Sequence, residues 1–144
     1  MDREVTGMCC VQSLQMNEIK HRDTSIKHFV REHLGCDCPD EVFDNIKVSR
    51  QTGLFSEKHT VYEIGGRLFV TVFFPVNWHD IKMQLGKLVV DGKQYRDQHG
   101  YNRFRLVIVT DDDDAENDLL LTFNDLPCID DKTHLHVINP SILP

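Results

Sequence analysis

The chain has 144 residues, 40% of them hydrophobic and 27% charged, with a formal net charge of −7 at pH 7. These values are typical of one soluble globular domain, and a net-acidic chain lacks the dominant basic face that nucleic-acid binding requires, so we expect no nucleic-acid partner. The longest apolar runs, such as "LFVTVFF", are too short to span a bilayer, so no membrane association is expected.

The first part of the chain has no clear hydrophobic periodicity. We expect residues 1–22 to be a poorly ordered arm and residues 23–144 to form a single α/β domain. The start, "MDREVTGMCC", lacks the basic and apolar segments of an export signal, which favours a cytoplasmic location. In that compartment the five cysteines are expected to be reduced thiols.

Two short helices are predicted next. The segment "TSIKHFVREHLG" predicts an amphipathic helix that is capped by Thr24 or Ser25 and ended by Gly35. Its stripe, mostly apolar, consists of Ile26, Phe29, Val30, His33 and Leu34. The segment "PDEVFDN" predicts a second helix with Pro39 at its first position.

The rest of the chain predicts strands and two further helices. "NIKVSRQ" alternates like a half-buried strand, and "KHTVYEIGGRLFVTVFFP" predicts a hairpin with its two glycines at the turn. Asn77 caps a long helix that ends near either Gly92 or His99. "FRLVIVT" is typical of a buried parallel strand, "DAENDLLLTFNDLP" of a helix and "THLHVIN" of a last strand. The order α-α-β-β-β-α-β-α-β predicts an α/β (α+β) fold with a mixed five-stranded sheet and helices packed on it.

Part of this order, α-β-β-β-α-β, resembles the core of restriction-endonuclease-like nucleases. The resemblance implies an early carboxylate in the hairpin and an acid-x-lysine triplet on its second arm, which together hold magnesium. Glu63 is present on the first arm, but the second arm, "RLFVTVFF", has no acid. Nuclease activity of that type is therefore disfavoured, and the resemblance concerns fold order alone.

One hypothesis places a thiol-centred site in the segment "LGCDCPDEVF". Cys36 and Cys38 lie between the first two predicted helices, while His134 and His136 leave the same face of the last predicted strand. The four side chains supply the ligands of a tetrahedral zinc site, although C-x-C is shorter than the usual zinc spacing; iron binding or thiol redox chemistry is the related possibility. The alternative is a buried Cys36, a helix-capping Cys38 and two solvated histidines.

A further hypothesis concerns the acidic run "DDDD", which directly follows a buried strand. Ligands gather beyond the carboxyl ends of parallel strands, so Asp111 and Asp112 could hold magnesium for a magnesium-dependent activity. The alternative is that these acids cap the following helix and complement its dipole.

Charge is segregated along the chain. Residues 111–131 carry nine acids and no base, whereas residues 82–105 carry six bases and two acids. No serine-hydrolase, P-loop or dinucleotide motif occurs. We therefore expect a binding or assembly module without a recognisable catalytic site, with a homodimer or another protein as its partner, through sheet-edge pairing or a basic-to-acidic contact.

Three segments resemble those of small single-domain bacterial proteins. They are "LGCDCPDEVFDNI", "GGRLFV" and "GYNRFRLVIVTDD". The resemblance extends from about residue 24 to residue 138 and implies a bacterial, cytosolic, stand-alone domain. It implies no activity, ligand or catalytic residue.

Overall fold

The computed structural model describes residues 21–52 and 58–144. One compact unit extends up to Asp37 and includes Pro144, and the other consists of Cys38–Leu143. Most of the predicted arm, residues 1–22, lies outside the described residues; its last two residues are helical. The predicted boundary at residue 22 stays a prediction.

The first unit contains the helix α1, which is described over residues 21–33. Thr24 and Ser25 lie inside this helix, so the predicted cap at these residues is wrong; both are tolerated within a helix at small cost. Gly35 has a φ of 67°, a conformation that a residue without Cβ adopts readily, and it follows the helix as predicted. His33 is exposed, whereas the apolar members of the stripe are buried: Ile26, Phe29, Val30 and Leu34.

The second unit is built on a five-stranded mixed sheet whose strands lie side by side in chain order, so the predicted fold is confirmed. The strands are β1 (Ile46–Thr52), β2 (Lys58–Ile64), β3 (Leu68–Phe73), β4 (Arg103–Val109) and β5 (Thr133–Ile138). β1, β2 and β3 form an antiparallel meander, and β4 and β5 run parallel to β3. The predicted second helix is a 3-10 helix, Asp40–Asp44, and Pro39 stands just before it rather than at its first position.

Two α-helices connect the parallel strands, α2 (Trp78–Gln98) and α3 (Asp113–Asn124). The side chain of Asn77 accepts a hydrogen bond from the backbone N–H of His79 at 3.0 Å, so the predicted cap of α2 is confirmed. The helix continues through Gly92 to the later of its two predicted ends. A Cβ atom at Gly92 would lie 2.1 Å from Cζ of Phe104, so this glycine permits close packing of α2 against β4.

The main core lies between one face of the sheet and the helices α2 and α3. It includes Phe69, Phe73, Trp78, Leu85, Val89, Phe104, Leu106, Ile108, Leu119 and Phe123. Because side chains alternate along a strand, the other face of the sheet holds a different set, in which Val70, Val72 and Val107 are also buried. None of the helices in the described ranges has the length and apolar character needed to cross a bilayer.

Candidate functional site

Cys36 and Cys38 are both disulfide-bonded, so the expectation of reduced thiols is wrong for these two residues. Cys36 is buried, and its backbone N–H donates to the carbonyl oxygen of Val30 at 3.3 Å. Cys128 is a free thiol, as expected, and is half-buried. Whether two sulfurs bond depends on the distance and orientation of their Cβ atoms in the fold, which the spacing in "LGCDCPDEVF" does not contain.

The predicted metal site needs these cysteines as thiolates, and a sulfur in a disulfide does not offer one. Within residues 21–52 and 58–144, no three or more His, Cys, Asp and Glu side chains are grouped so that they could hold a metal ion. The zinc or iron site at Cys36, Cys38, His134 and His136 stays a prediction, and it applies to the reduced protein.

His134 and His136 lie on the same face of β5, as the alternation predicts. In the pairing of β4 with β5, His134 is opposite Arg105 and His136 is opposite Val107. His134 is exposed, with Nε2 3.1 Å from the carbonyl oxygen of Asp131. His136 is half-buried, and its Nε2 has no hydrogen-bond partner in the described part of the chain. The alternative of two solvated histidines therefore fits only His134.

The surroundings keep His136 neutral at pH 7. Burial lowers its pKa to about 4, and the positive charge of Arg105 and the neighbouring His134 add to this effect. Burial, followed by the charge of Arg105, also lowers the pKa of His134. Both imidazoles therefore stand beside a cation, and neither neutralises it.

Arg105 is a buried cation that the sequence patterns do not single out. Only 4% of its surface is exposed, and its Nε and Nη1 have no hydrogen-bond partner among the described residues. Burial and the nearby charge of Arg103 lower its pKa, but a guanidinium stays protonated in proteins. The available signal was a charged residue inside the apolar run "FRLVIVT", since a strand buried on both faces rarely contains an unpaired charge.

Asp112 is the N-cap of α3, and both of its carboxylate oxygens accept hydrogen bonds. Oδ1 accepts from the backbone N–H of Asp114 at 2.9 Å, and Oδ2 accepts from Nε1 of Trp78 at 2.9 Å. The bond from Trp78, followed by that from Asp114, lowers the pKa of Asp112. The capping alternative is thus confirmed for Asp112, while Asp111 is exposed. A magnesium-dependent activity at Asp111 and Asp112 stays a prediction.

Glu63, the carboxylate on the first arm of the hairpin, is held by two tyrosines. Its Oε1 accepts hydrogen bonds from the hydroxyl groups of Tyr95 at 2.6 Å and Tyr101 at 2.8 Å. Burial raises the pKa of Glu63, but the two hydrogen bonds outweigh it and lower the pKa, while the pKa of each tyrosine rises to about 12. The arrangement attaches the last turn of α2 to the sheet, which is a structural use of this carboxylate.

Part of the segregated charge is neutralised inside the second unit. Nζ of Lys82 lies 2.8 Å from Oδ1 of Asp118. The buried guanidinium of Arg96 forms a two-pronged pair with Asp130, with Nη1–Oδ1 at 3.1 Å and Nη2–Oδ2 at 2.8 Å. Nζ of Lys93 lies 3.7 Å from the same carboxylate. These contacts reduce the charge that is left for a basic-to-acidic contact between molecules.

The outer surface of α2 and α3 carries three exposed apolar side chains, Met83 (87% exposed), Val90 (48%) and Leu121 (58%), which we call the helical patch. Met83 and Val90 lie seven residues apart, on the same side of α2 as Gly86. A Cβ atom at Gly86 would lie 3.4 Å from Cδ2 of Leu126, so this side of α2 faces the segment that follows α3.

The ion pair between Lys82 and Asp118 relates the position of Leu121 on α3 to that of Met83 on α2. Leu121 lies one turn after Asp118, whose carboxylate contacts Lys82 beside Met83. A second ion pair on α2 joins Lys87 to Asp91 at 3.4 Å. Lys87 lies between Met83 and Val90 in the sequence, and Asp91 directly follows Val90. The helical patch therefore spans two adjacent helices and has both charge signs close to it.

Comparison with known proteins gave no match. No family model fits the chain, and no curated protein and no solved structure is significantly similar to it. The resemblance to small bacterial domains stays a prediction.

Proposed function

We propose that this chain is a binding and assembly module without enzymatic turnover, and that it forms a homodimer through the helical patch. The observation that supports the proposal is the exposure of Met83, Val90 and Leu121 on adjacent helices. Scattered exposed apolar residues are ordinary on a protein surface, whereas a group on one surface with polar surroundings is typical of an interaction site.

The charges around the helical patch favour a second copy of the chain as the partner. Lys82 and Asp118 form one exposed ion pair, and Lys87 and Asp91 form another. A two-fold interface brings a surface against itself, so a border whose charges are already paired within each copy presents no net charge that would repel the second copy. Such a border gives no net attraction to a partner of a single charge sign.

The proposal is tested by analytical ultracentrifugation of the full chain over a wide concentration range, at low and high salt. We expect a reversible dimer, and Met83→Glu or Leu121→Glu should raise the dissociation constant by about tenfold or more, because each buries a charge at the contact. Val76→Glu is the matched control, since Val76 is fully exposed but precedes α2 and lies outside the helical patch. It should leave the dissociation constant unchanged.

Two results would contradict dimerisation through the helical patch. One is a strict monomer at every concentration in both salts. The other is a dimer that neither Met83→Glu nor Leu121→Glu weakens. That second result would point to pairing through an edge of the sheet, where β1 and β5 are the outer strands.

A second candidate function is thiol–disulfide exchange at Cys36 and Cys38. Their disulfide-bonded state favours it, because exchange chemistry uses that state whereas zinc or iron binding needs thiolates. Elemental analysis of the reduced, untagged chain, combined with thiol titration before and after mild reduction, separates the two. Metal well below one atom per chain, together with cysteines that resist mild reductants, would count against both thiol-centred functions.

The same proposal includes that the protein is bacterial and that it is located in the cytoplasm. The disulfide-bonded state of Cys36 and Cys38 is unusual for that compartment, because glutathione and thioredoxin keep most cytoplasmic thiols reduced. A location in the cytoplasm therefore requires that these two cysteines either alternate between the disulfide-bonded and the thiol state or are present as thiols in the cell. Alkylation of thiols in intact cells before lysis measures their state directly.

A further inference from the structure

The sheet face opposite α2 and α3 contains a guanidinium that nothing described neutralises. Arg105 stands between Val70 of β3 and His134 of β5, in register with both. It is almost completely buried, and its Nε and Nη1 lack hydrogen-bond partners within the described ranges. The charge that acts on it most is that of Arg103, which repels it. Such a group is costly, because a buried charge without a partner loses its hydration and gains nothing in return.

Arg96 is a second buried arginine, and its hydrogen bonds provide a comparison with Arg105. It is buried to the same degree as Arg105, yet Asp130 accepts from both of its terminal nitrogens, Thr133 accepts from Nη1 and Asp97 accepts from Nε. The guanidinium of Arg96 is thus paired inside the protein, whereas Nε and Nη1 of Arg105 have no hydrogen-bond partner among the described residues.

We propose that Arg105, with His134 and His136, forms a binding site for a small oxyanion, namely a phosphate or carboxylate group. His134 lies directly beside Arg105 on the neighbouring strand, and His136 lies diagonally to it on the same face. The Nε2 atom of His136 is also buried and has no partner within the residues that the structure describes, so it offers a hydrogen bond when the hydrogen is on that nitrogen. An oxyanion has several acceptor oxygens and so matches donors that point in different directions.

The position of the site indicates how an anion reaches it. β5 is an outer strand of the sheet, and His134 on it is exposed while Arg105 on the next strand is buried. An anion that comes from solvent at the β5 edge would meet the exposed His134 before it reaches the buried Arg105. This route lies on the opposite face of the sheet from the core under α2 and α3, so the site is independent of dimerisation through the helical patch.

Thermal unfolding of the full chain in increasing phosphate tests the proposal, with acetate as the carboxylate arm and sodium chloride at equal ionic strength as the reference. We expect the unfolding midpoint to rise with the logarithm of the anion concentration above the dissociation constant, by about 2–4 °C when the anion reaches about five times that constant. A larger effect of phosphate identifies a phosphate site, and a larger effect of acetate identifies a carboxylate site.

Two variants locate the effect. Arg105→Met removes the buried charge and should abolish the anion-dependent rise, while its midpoint in chloride stays at or above that of the wild type, because replacing an unneutralised buried charge by an apolar side chain relieves its desolvation. Arg67→Met is the control: it removes the same charge from an exposed position in the hairpin turn and should preserve the rise. Arg105→Lys, which keeps a charge but loses the guanidinium, should reduce the rise.

The proposal is overturned if phosphate and acetate raise the wild-type midpoint no more than chloride does. It is equally overturned if Arg105→Met and Arg67→Met respond to the anions alike. Should Arg105→Met fail to fold, the wild-type titration and Arg105→Lys decide the matter, and an undiminished response of Arg105→Lys would exclude the guanidinium as the binding group.

Discussion

Gly86 and Gly92 lie in the same helix, α2, and differ in what surrounds them. A Cβ atom at Gly92 would lie 2.1 Å from Cζ and 2.2 Å from Cε2 of Phe104, a ring that is buried in the core. At Gly86 the nearest atom would be Cδ2 of Leu126, at 3.4 Å. Glycine in a helix interior costs about 1 kcal/mol relative to alanine, so local propensity favours alanine at both positions. The surroundings leave room for an alanine side chain only at Gly86, because at Gly92 its methyl group would collide with the Phe104 ring.

We predict opposite effects for the two alanine substitutions. Gly92→Ala should reduce the free energy of unfolding by about 1–3 kcal/mol, because the methyl group forces the helix and the Phe104 ring apart. Gly86→Ala should be neutral or raise it by up to about 1 kcal/mol. Urea unfolding at the lowest usable protein concentration measures both, so that association does not contribute. Equal stability of the two variants would contradict the close packing of α2 on β4.

At the scale of elements, one carboxylate joins α2 to the segment that precedes β5. Asp130 accepts hydrogen bonds from Arg96, from the hydroxyl of Thr133 at 2.8 Å and from the backbone N–H of Lys132 at 3.0 Å. The hydrogen bond from Arg96 is the main reason that the pKa of Asp130 lies well below its usual range, while burial opposes the shift. The folded state therefore favours the ionised carboxylate more than the unfolded chain does.

This direction fixes how stability depends on pH. The folded-state pKa of Asp130 is below the unfolded value of about 3.9, so its contribution is fully present well above that value and is lost as the pH falls towards the folded pKa. Asp130→Asn should cost about 2–3 kcal/mol at pH 7, less than for a fully buried pair because 31% of the carboxylate side chain is exposed. The variant should also lose less stability than the wild type between pH 5 and pH 2, and urea unfolding across this range measures both effects.

Asp131→Asn is the matched control for Asp130→Asn, because Asp131 is the adjacent acid and is exposed. It should change the stability at pH 7 by no more than about 0.5 kcal/mol. If the two variants have the same stability and the same dependence on pH, the ion pair of Arg96 with Asp130 does not join the two elements as described.

The elements themselves were predictable where their causes are local. Alternation and apolar runs identified all five strands, and Asn77 correctly marked the start of α2. The sequence leaves the end of α2 open, because Gly92 resembles a helix-ending glycine. In the structure this glycine lies inside the helix and permits close contact with Phe104 on β4. Thr24 and Ser25 misled in the same way, since a residue that can cap a helix does so only if the helix begins there.

The candidate sites depended more on non-local contacts and were predicted less completely. The shared face of His134 and His136 follows from alternation, and the capping role of Asp112 follows from its position before α3. The isolation of Arg105 does not follow from either pattern, because it requires knowing which side chains the neighbouring strands bring to it. The disulfide-bonded state of Cys36 likewise depends on the folded chain and not on the spacing of the cysteines.

At the scale of the whole molecule, the net charge of −7 is less informative than the way in which the charges are paired. The acidic residues after β4 are partly neutralised by α2, through Lys82–Asp118 and Arg96–Asp130. These ion pairs weaken the negative electrostatic potential of the acidic segment, residues 111–131, which would otherwise attract a basic partner. The two proposals therefore rest on the exposed apolar side chains and on Arg105, whose Nε and Nη1 have no hydrogen-bond partner among residues 21–52 and 58–144.

Reduction of the chain is expected to destabilise it as a whole, because disulfides limit the conformations of the unfolded state. With Cys36 and Cys38 disulfide-bonded, the free energy of unfolding should fall by about 2–4 kcal/mol on reduction. Alkylation followed by mass spectrometry should modify Cys128 without reductant, and Cys36 and Cys38 only after it. Cys128→Ser is the control, and it should leave the difference between oxidised and reduced protein unchanged.

The size of this loss decides between two roles for the cysteines. A loss of several kcal/mol, with reduction only by strong reductants, would mean that Cys36 and Cys38 serve stability. A loss near zero with ready, reversible reduction would mean that their oxidation state is free to change with the environment, as thiol–disulfide exchange requires. Alkylation of Cys36 and Cys38 before any reduction, as fast as that of Cys128, would contradict the disulfide-bonded state itself. Free thiols at both positions would then favour the zinc or iron site over thiol–disulfide exchange.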